Sequence, residues 1–507
     1  MASQSSSAPN VAHSTPATIS TDVLVIGGGG AGLAAAIEAA TAGRRVILLE
    51  KNPQLGGTTA WSVGSVSVTN SPHQQRAGIS DSTQAHFEDL EILCGAMANR
   101  DNRALRRLLV DNITDTFNWL CGMGLVFTGP MPEPPHRVPR MHNVLPNSRA
   151  YPDRMGRRAR SLGVDIRLDT RVESLRVDGA RIIGANARGA EERTFMFSAQ
   201  SVVLAAGDYS ASAELLAEYV SADAARLSAV NVTATGDGQR IGRDSGGQIV
   251  NADVIRGPAM RFVPPPSRPF IDALPAHPLL AHAMRVGFER LPRALLRPFM
   301  MRFLTTALGL SPELLNAGAI LVNEHGMRFG DELDHPAQAM ARQPHGRAYV
   351  VFDGAIASRF NEWPNFVSTA PGVAYAYLDD YRRTRADICH VADTLDALAD
   401  QAGLDPVALR RTVHHYNADR EARGSRPALD TPAFHVLGPV QAYVVFTDGG
   451  LMVNERLQVL DSNNAPITGL YAAGSNGQGG VILEGHGHHL GWAFVSGRIA
   501  GRNAALA

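Results

Sequence analysis

Three histidines stand close together near the end of the chain, in the stretch "EGHGHHLGWAF" from Glu484 to Phe494. His486 and His488 have a His-x-His spacing, but a zinc site also needs acidic, cysteine or further histidine ligands at suitable spacings, which this stretch does not offer. An apolar pattern of helical period follows at once, so the same residues also suit the start of a helix that faces a cofactor. We favour the helix start and expect no metal, and His486 is the histidine best placed to touch a substrate as well.

A glycine-rich turn near the beginning has the spacing of a phosphate-binding loop. Gly27, Gly29 and Gly32 fit GxGxxG between an apolar strand over 23–26 and an alanine-rich helix over 33–42. The first glycine permits a tight turn, the second lets a pyrophosphate approach the backbone, and the third lets the helix pack on the strand. The free amides at the start of the helix then face the phosphates.

The next element completes this unit. A second apolar strand over 46–49 ends at Glu50, where an acidic side chain can accept hydrogen bonds from a ribose diol. Strand, turn, helix, second strand and acidic residue thus all stand at the offsets of a dinucleotide site.

Two more segments favour FAD over NAD as the dinucleotide. "GGTTAWSVGSVS" follows the second strand, and "PITGLYAAGSNGQGG" combines a strand over 470–473 with a turn at Gly474. Because a flavin extends far beyond the pyrophosphate, its ring needs a second, distant segment of chain to hold it.

From Thr21 onward the chain resembles the FAD-dependent fumarate reductase, succinate dehydrogenase and 3-ketosteroid dehydrogenase flavoprotein superfamily. The resemblance rests on "VIGGGGAGLAAAIEA", "LLEKNPQLGGTTAWS", "DIRLDTRV", "VVLAAGDY", "TATGDGQRIG", "AILVNEHGMRFGDE" and "PITGLYAAG…SGRIAGRNAA". It implies an α/β fold, a Rossmann-like FAD-binding domain with an inserted α+β capping domain. We expect a disordered tail over 1–20, the FAD-binding domain over 21–257 and 447–507, and the cap over 258–446.

The motifs and the resemblance together imply a set of residues that bind FAD without a covalent bond. Ser475 departs from the family, since many relatives have a glutamate there, and His489 and Leu490 belong to the helix start described above. The predicted residues are Gly27, Gly29, Gly30, Ala31, Gly32, Glu50, Lys51, Gly57, Thr58, Thr59, Ala60, Val172, Ala206, Gly207, Asp237, Gly474, Ser475, His489 and Leu490.

The positions by which fumarate reductases hold two carboxylates differ in this chain. The resemblance places Pro258, Phe446 and Glu484 where those enzymes have histidines and an arginine. An unpaired carboxylate buried against such residues would be costly, so we expect succinate and fumarate to be poor substrates. The tyrosine of ketosteroid dehydrogenases is missing as well, with Leu483 in its place.

The resemblance implies Arg328, in "RFGDE", as the residue that delivers a proton to the substrate carbon. Burial beside a base would favour this role because desolvation disfavours the charged form of arginine. In the alternative interpretation, Arg328 pairs with Asp331 or Glu332 and anchors the cap. Our candidate catalytic residues are therefore Arg328, His486 and His335.

The segment over 258–317 mixes large apolar residues with arginines. Pro292 and Pro298 are expected to divide it into short helices. It suits a lid packed on the core or, alternatively, an amphipathic surface over 278–308 that contacts a membrane peripherally or admits an apolar substrate.

Composition and the absence of certain motifs limit the partners and the location that we expect. The 507 residues have a formal net charge of -1, which argues against nucleic acid as a partner. The first twenty residues lack the charged start and apolar run of a signal peptide, so we expect a cytoplasmic protein, with association with a membrane as the alternative. Because a second GxGxxG unit for NADPH is missing, the electron partner is expected to be a quinone, a carrier protein or oxygen.

We therefore expect an FAD-dependent oxidoreductase acting on a CH–CH or C=C bond next to a carbonyl. The favoured substrate is a small apolar carbonyl compound, an apolar cyclic ketone or ketosteroid-like molecule that the enzyme dehydrogenates. The alternatives are an enoate reductase of the fumarate reductase type, acting on an acid with a single carboxylate, and a flavin-binding subunit without catalysis.

Overall fold

The computed structural model describes residues 18–266 and 273–507. In chain order the strands are β1 (Thr18–Ser20), β2 (Val23–Ile26), β3 (Val46–Leu49), β4 (Ser65–Ser67), β5 (Val126–Met131), β6 (Met141–Leu145), β7 (Asp165–Arg167), β8 (Arg171–Asp178), β9 (Arg181–Arg188), β10 (Thr194–Ser198), β11 (Ser201–Leu204), β12 (Ser228–Ala229), β13 (Ile249–Val250), β14 (Ile255–Arg256), β15 (Ala259–Phe262), β16 (Gly309–Leu310), β17 (Ile320–Val322), β18 (Arg347–Phe352), β19 (Ser368–Ala370), β20 (Ala374–Ala376), β21 (Cys389–Ala392), β22 (Phe434–Val444), β23 (Phe446–Thr447), β24 (Gly450–Leu451), β25 (Gln458–Leu460) and β26 (Pro466–Ala472). The α-helices are α1 (Gly30–Thr41), α2 (Gly57–Trp61), α3 (Pro72–Arg76), α4 (Thr83–Cys94), α5 (Arg103–Gly122), α6 (Ala150–Ser161), α7 (Ala213–Tyr219), α8 (Asp237–Asp244), α9 (Pro278–Arg290), α10 (Arg293–Ala307), α11 (Pro312–Asn316), α12 (Pro336–Ala341), α13 (Gly354–Arg359), α14 (Leu378–Thr384), α15 (Leu395–Ala402), α16 (Pro406–Ala418), α17 (Arg420–Arg423) and α18 (His488–Leu506).

A parallel sheet forms the centre of the FAD-binding part. Strands β26, β11, β2, β3 and β7 pair in that order, all parallel, and an antiparallel layer of β8, β9 and β10 joins at the β26 side. The two predicted strands of the dinucleotide unit, over 23–26 and 46–49, are β2 and β3 with the expected bounds. Every residue of both strands is buried, as expected for parallel strands covered on both faces.

Helices α1 and α18 pack against each other through small residues. A Cβ atom on Gly497 would lie 2.3 Å from the carbonyl oxygen of Ala31, and one on Gly501 would lie 2.2 Å from that of Ala35. The last helix of the chain therefore lies directly beside the first, which brings the two ends of the FAD-binding part together.

A second sheet belongs to a separate hydrophobic core. The long strand β22 pairs antiparallel with β15, β18 and β21 and parallel with β12, and the order continues from β15 through β16 and β19 to β20. The buried side chains of this core run from Tyr209 to Val444, whereas those of the first core come from both sides of that range, apart from Ile241. Two cores, one inserted in the other, match an inserted cap; the boundaries at 258 and 446 stay a prediction, since Leu215 and Leu216 of α7 already belong to the second core.

Two short antiparallel pairs connect the cores. In β14 and β23, Ile255 pairs with Thr447 and Arg256 with Phe446, and in β13 and β24, Ile249 pairs with Leu451. The chain thus enters and leaves the cap side by side, in the arrangement of a hinge.

Helices α9 and α10 lie across the outside of both parts. On α9, Ala281 is buried against Val126 and Leu145 of β5 and β6, and on α10, Arg297 pairs with Asp380 of α14 at 2.5 Å. Several apolar side chains of the two helices stay exposed, Leu279 and Leu295 by about 70 %. The lid and the membrane-contact interpretations of this segment therefore both remain predictions.

Three local expectations need correction. Pro298 lies inside α10 and does not end it, because the helix begins at Arg293 and one missing N–H bond costs less than its packing gains. Thr18–Ser20, expected in the tail, pair in parallel with β10, and the remainder of the predicted tail, residues 1–17, lies outside the described residues. Within the described ranges, a search for a helix of membrane-spanning length and apolarity finds none.

Candidate flavin site and adjoining substrate face

A cleft that is partly open to solvent lies at the carboxyl ends of β2, β3, β11 and β26. This is where parallel α/β sheets bind ligands, because the loops after the strands are free to shape a site. Fifteen of the predicted FAD-binding residues line it: Gly27, Gly29, Gly30, Ala31, Glu50, Lys51, Gly57, Thr58, Thr59, Val172, Ala206, Gly207, Asp237, Gly474 and Ser475. Gly32, Ala60, His489 and Leu490 lie outside its lining.

The glycine turn leaves the cleft open along its wall. Gly29 is the N-cap of α1, and a Cβ atom placed on it would meet no protein atom closer than 3.8 Å. Gly32 packs against the turn itself. A Cβ atom on it would lie 1.9 Å from the carbonyl oxygen of Gly27. The backbone amide of Gly30 donates to Thr59 Oγ1 at 3.1 Å, which ties the turn to α2. The first turn of α1 thus presents backbone amides to a ligand without a side chain in the way.

The buried carboxylate of Glu50 stabilises the glycine turn and also faces the cleft. One carboxylate oxygen accepts from the Gly28 amide at 2.6 Å, and the other accepts from the amide and side chain of Asn52 at 2.9 and 2.7 Å. A ribose diol would share oxygens that are already fixed in place, which orients the carboxylate before the ligand arrives.

Lys51 and Asp237 close the same end of the cleft. Lys51 Nζ donates to Asp237 at 2.9 Å, and Arg171 donates to the other oxygen at 2.8 Å. Burial alone would raise the pKa of Asp237, but the bonds from Lys51 and Arg171 outweigh it and the pKa is lowered. Asp237 is therefore an ionised, paired carboxylate.

Sequence reasoning missed several residues of this lining. Asn231 donates to Thr58 Oγ1 at 2.8 Å, and Thr233 and Arg171 also face the cleft. Thr233 belongs to the quoted motif "TATGDGQRIG" and Arg171 to "DIRLDTRV", while Asn231 lies two residues before the first of these, so the motifs themselves were the available signal.

Side chains of α18 position the second FAD-binding segment. Ser496 Oγ accepts from the Gly474 amide at 2.9 Å, and the indole of Trp492 donates to the Gly474 carbonyl at 3.2 Å. The helix itself begins at His488, as predicted, with Gly487 as N-cap at a φ of +88°. The lining of the cleft fits FAD. It combines glycines without side chains, the start of α1 without a side-chain cap, the fixed carboxylate of Glu50 and a second, distant segment of chain at Gly474.

A charged cluster lies beside the start of α18, where the carboxylate-binding residues of fumarate reductases were expected to be lost. Arg256 forms ion pairs with both Asp448 and Glu484. Gln478 donates to Asp448 at 2.8 Å, and His489 Nε2 lies 3.3 Å from the same carboxylate. We call Arg256, Asp448, Glu484 and His489 the hinge cluster, since Arg256 belongs to the hinge strand β14.

The hinge cluster contains one permanent cation and two carboxylates. Burial raises the pKa of Asp448 against the effect of Arg256. Burial and Arg256 lower the pKa of His489 to about 3, and the ring of Phe446 covers it with centroids 3.9 Å apart. With both carboxylates ionised, the net charge is -1, or zero if His489 is protonated.

The three predicted catalytic residues are not brought together. His335 is exposed, with 80 % of its side chain accessible, and lies 3.9 Å from Asp334. His486 is half-buried, and Glu133 accepts from its backbone amide at 2.7 Å and contacts its Nδ1 at 2.5 Å. None of the three lines the cleft.

Arg328 has the geometry of the anchoring alternative. It donates twice to the buried carboxylate of Glu332, at 2.9 and 2.7 Å, and Arg426 donates to that carboxylate at 3.1 Å. The bond to Glu332 outweighs burial and raises the pKa of Arg328, which favours the anchoring alternative; a catalytic role of Arg328 stays a prediction.

Comparison with known proteins agrees with this site. The profile of the FAD binding domain family matches residues 22–262 and 291–482. A probable fumarate reductase of Shewanella frigidimarina is 29% identical over 96% of this chain and 75% of its own, and a vinyl phenol reductase of Lactiplantibacillus plantarum is 26% identical over 96% of each. The open conformation of a flavocytochrome c3 fumarate reductase superposes with a TM-score of 0.72, at 26% identity, over 97% of this chain and 79% of that one. The protein therefore belongs to the FAD binding domain family and is an FAD-dependent oxidoreductase.

Proposed function

We propose that the enzyme dehydrogenates a CH–CH bond next to the carbonyl of a neutral, apolar substrate, such as a cyclic ketone or ketosteroid-like compound. The observation that carries this proposal is the charge of the hinge cluster. Its one arginine is already paired with two carboxylates, so it has no free cation to offer an acidic substrate.

The size of the effect favours neutral substrates. A substrate carboxylate about 4 Å from one uncompensated protein carboxylate is repelled by about 4 kcal/mol at an effective dielectric constant of about 20. A dicarboxylate would meet this repulsion and also lack a partner for its second charge. A ketone or enone carries no charge and avoids both costs.

Bound FAD supplies the group that exchanges a hydride with the substrate β-carbon. The chain supplies electrostatic stabilisation. The backbone amides at the start of α18 favour negative charge that develops beside them. In the dehydrogenation direction Asp448, a buried carboxylate next to this helix start, can accept the proton that leaves the α-carbon. Arg256 and Gln478 keep the Asp448 carboxyl in one orientation.

Reduction of a neutral activated alkene is the second candidate. It is favoured by the match to a vinyl phenol reductase, which extends over 96% of both chains. In dehydrogenation a quinone, a carrier protein or oxygen takes the electrons from the flavin, and in alkene reduction a quinol or a reduced carrier protein supplies them.

A matched pair of substrates tests the charge argument. We compare kcat/KM for an α,β-unsaturated acid and its methyl ester in the reductive direction, with reduced viologen as donor. Wild type should prefer the ester by on the order of 100-fold, and Glu484→Gln, which frees Arg256 from one carboxylate, should shift this ratio towards the acid.

The control is Glu455→Gln, which removes the same charge from an exposed turn and should leave the ratio unchanged. Preference of the wild-type enzyme for the acid would contradict the proposed substrate class.

A further inference from the structure

Three buried histidines from distant parts of the chain converge next to the flavin-facing helix. His86 lies on α4, His136 lies between β5 and β6, and His488 is the first residue of α18. All three are at least nine-tenths buried, and one ring nitrogen from each lies within 4.8 Å of those of the other two. The Nε2 atoms of His86 and His488 are 3.1 Å apart.

Polar atoms around this cluster lack protein partners. His136 Nε2, His488 Nδ1 and Glu133 Oε2 are buried among the described residues without a hydrogen bond. An unsatisfied buried polar group is costly, so Nε2 of His136 calls for a partner that the described residues do not supply. The unsatisfied Nδ1 of His488 is its outer nitrogen, because its Nε2 faces His86.

The outer nitrogens of two rings have positioning partners. His86 Nδ1 contacts Thr69 Oγ1 at 2.6 Å. His136 Nδ1 lies 2.9 Å from Arg140 and 3.7 Å from the carboxylate of Asp89. A small rotation towards Asp89 would let His136 Nδ1–H donate to that carboxylate, the usual outer contact of a metal-bound histidine.

We propose that His86, His136 and His488 bind a divalent transition-metal ion of the zinc class. In a tetrahedral site with Zn–N bonds of about 2.0–2.1 Å, the nitrogens lie roughly 3.3 Å apart, close to the His86–His488 separation. Water would complete the coordination. The competing interpretation is a water-filled polar pocket without an ion.

The proposed site differs from the one considered in the sequence. There, His486, His488 and His489 were the available ligands, and a metal was not expected. In the structure His486 turns to Glu133 and His489 to Asp448, while His86 and His136 arrive from other elements. An ion bound here would fasten α4 and the β5–β6 connection to the first residue of α18, and so hold the helix start that faces the flavin.

The first test is metal analysis of the untagged holoenzyme, purified without chelators. Inductively coupled plasma mass spectrometry should find roughly one transition-metal ion per chain. His86→Asn and His136→Asn should reduce this content at least about tenfold, since each removes a ligand. The control His73→Asn changes another buried histidine, one that contacts the carbonyl of Phe127, and should keep the ion.

A second measurement does not depend on variants that fold. Zn²⁺ added to chelator-treated holoenzyme should raise its melting temperature by roughly 2–5 °C, because the ion binds only the folded chain. Less than about one tenth of an ion per chain, together with no thermal shift on adding Zn²⁺, would overturn the metal site and leave the water-filled pocket.

Discussion

Gly29 faces the cleft with no side chain, and its backbone lies in an extended conformation that other residues also adopt. Gly29→Val should therefore fold, since its Cβ meets no protein atom within 3.8 Å, but its methyl groups should occupy the phosphate position. We expect the purified variant to lose at least about nine-tenths of its FAD, measured as flavin released on denaturation per chain.

The matched control is Gly122→Val. Gly122 is exposed at the end of α5, and a Cβ on it would have open space around it. This variant should keep its flavin. A well-folded Gly29→Val protein with a full complement of FAD would contradict the assignment of the cleft.

Arg328 offers a second prediction at the residue scale. Arg328→Lys keeps the charge but loses the two parallel bonds to the buried Glu332 carboxylate, so we expect unfolding to become easier by about 1–3 kcal/mol. Chemical denaturation measures this change in stability. Steady-state assays should show turnover per bound flavin near that of wild type. Slower turnover by orders of magnitude at unchanged stability would restore Arg328 as the proton donor.

The amino-acid sequence predicts the role of some residues of the site and not of others. Gly27, Gly29 and Glu50 were predictable because a turn, a close backbone approach and a ribose contact each restrict the residue type. Arg256 and Asp448 were not, because their meaning comes from a contact between strands almost two hundred positions apart. Only the folded chain shows that one arginine, Arg256, is paired with two carboxylates, those of Asp448 and Glu484.

At the scale of elements, the packing of helix α9 on its neighbours can be tested by a single substitution. Ala281 is its buried contact with β5 and β6, and an aspartate there would place an unpaired carboxylate among Val126 and Leu145. Ala281→Asp should detach α9 at a cost of about 2 kcal/mol or more, seen as faster amide exchange over 278–290 with FAD content unchanged.

Ala283→Asp is the control, since Ala283 is exposed on the same helix. Unchanged exchange over α9 in Ala281→Asp would show that this contact does not hold the helix. If α9 is part of a lid, its detachment should also alter KM for an apolar substrate.

Elements were predictable where a local pattern decides them. The strands over 23–26 and 46–49 and the start of α18 at His488 follow from apolar runs and glycines. The proline rule failed at Pro298, because packing of α10 against α14 outweighs one missing hydrogen bond. The inclusion of α7 in the second core was not predictable, since it depends on tertiary contacts of Leu215 and Leu216.

At the scale of the whole molecule, the flavin cleft belongs to the first core and the cap to the second, with the hinge cluster between them. Arg256 and Asp448 stand on or beside the two hinge strands, and Glu484 precedes α18. Under the proposed function the same residues would respond to substrate charge and to cap position, which makes the charge of the substrate the central claim.

Anaerobic flavin spectra of the holoenzyme test that claim most directly. Oxidised enzyme is mixed with apolar cyclic ketones, including a 3-ketosteroid, and with succinate, and reduced enzyme is mixed with the corresponding enones and with fumarate. We predict that at least one neutral compound bleaches or restores the flavin absorbance, while succinate and fumarate act at least about 100-fold more slowly because the hinge cluster offers them no free cation. Rapid reoxidation by fumarate, with no response to any neutral compound, would contradict the account.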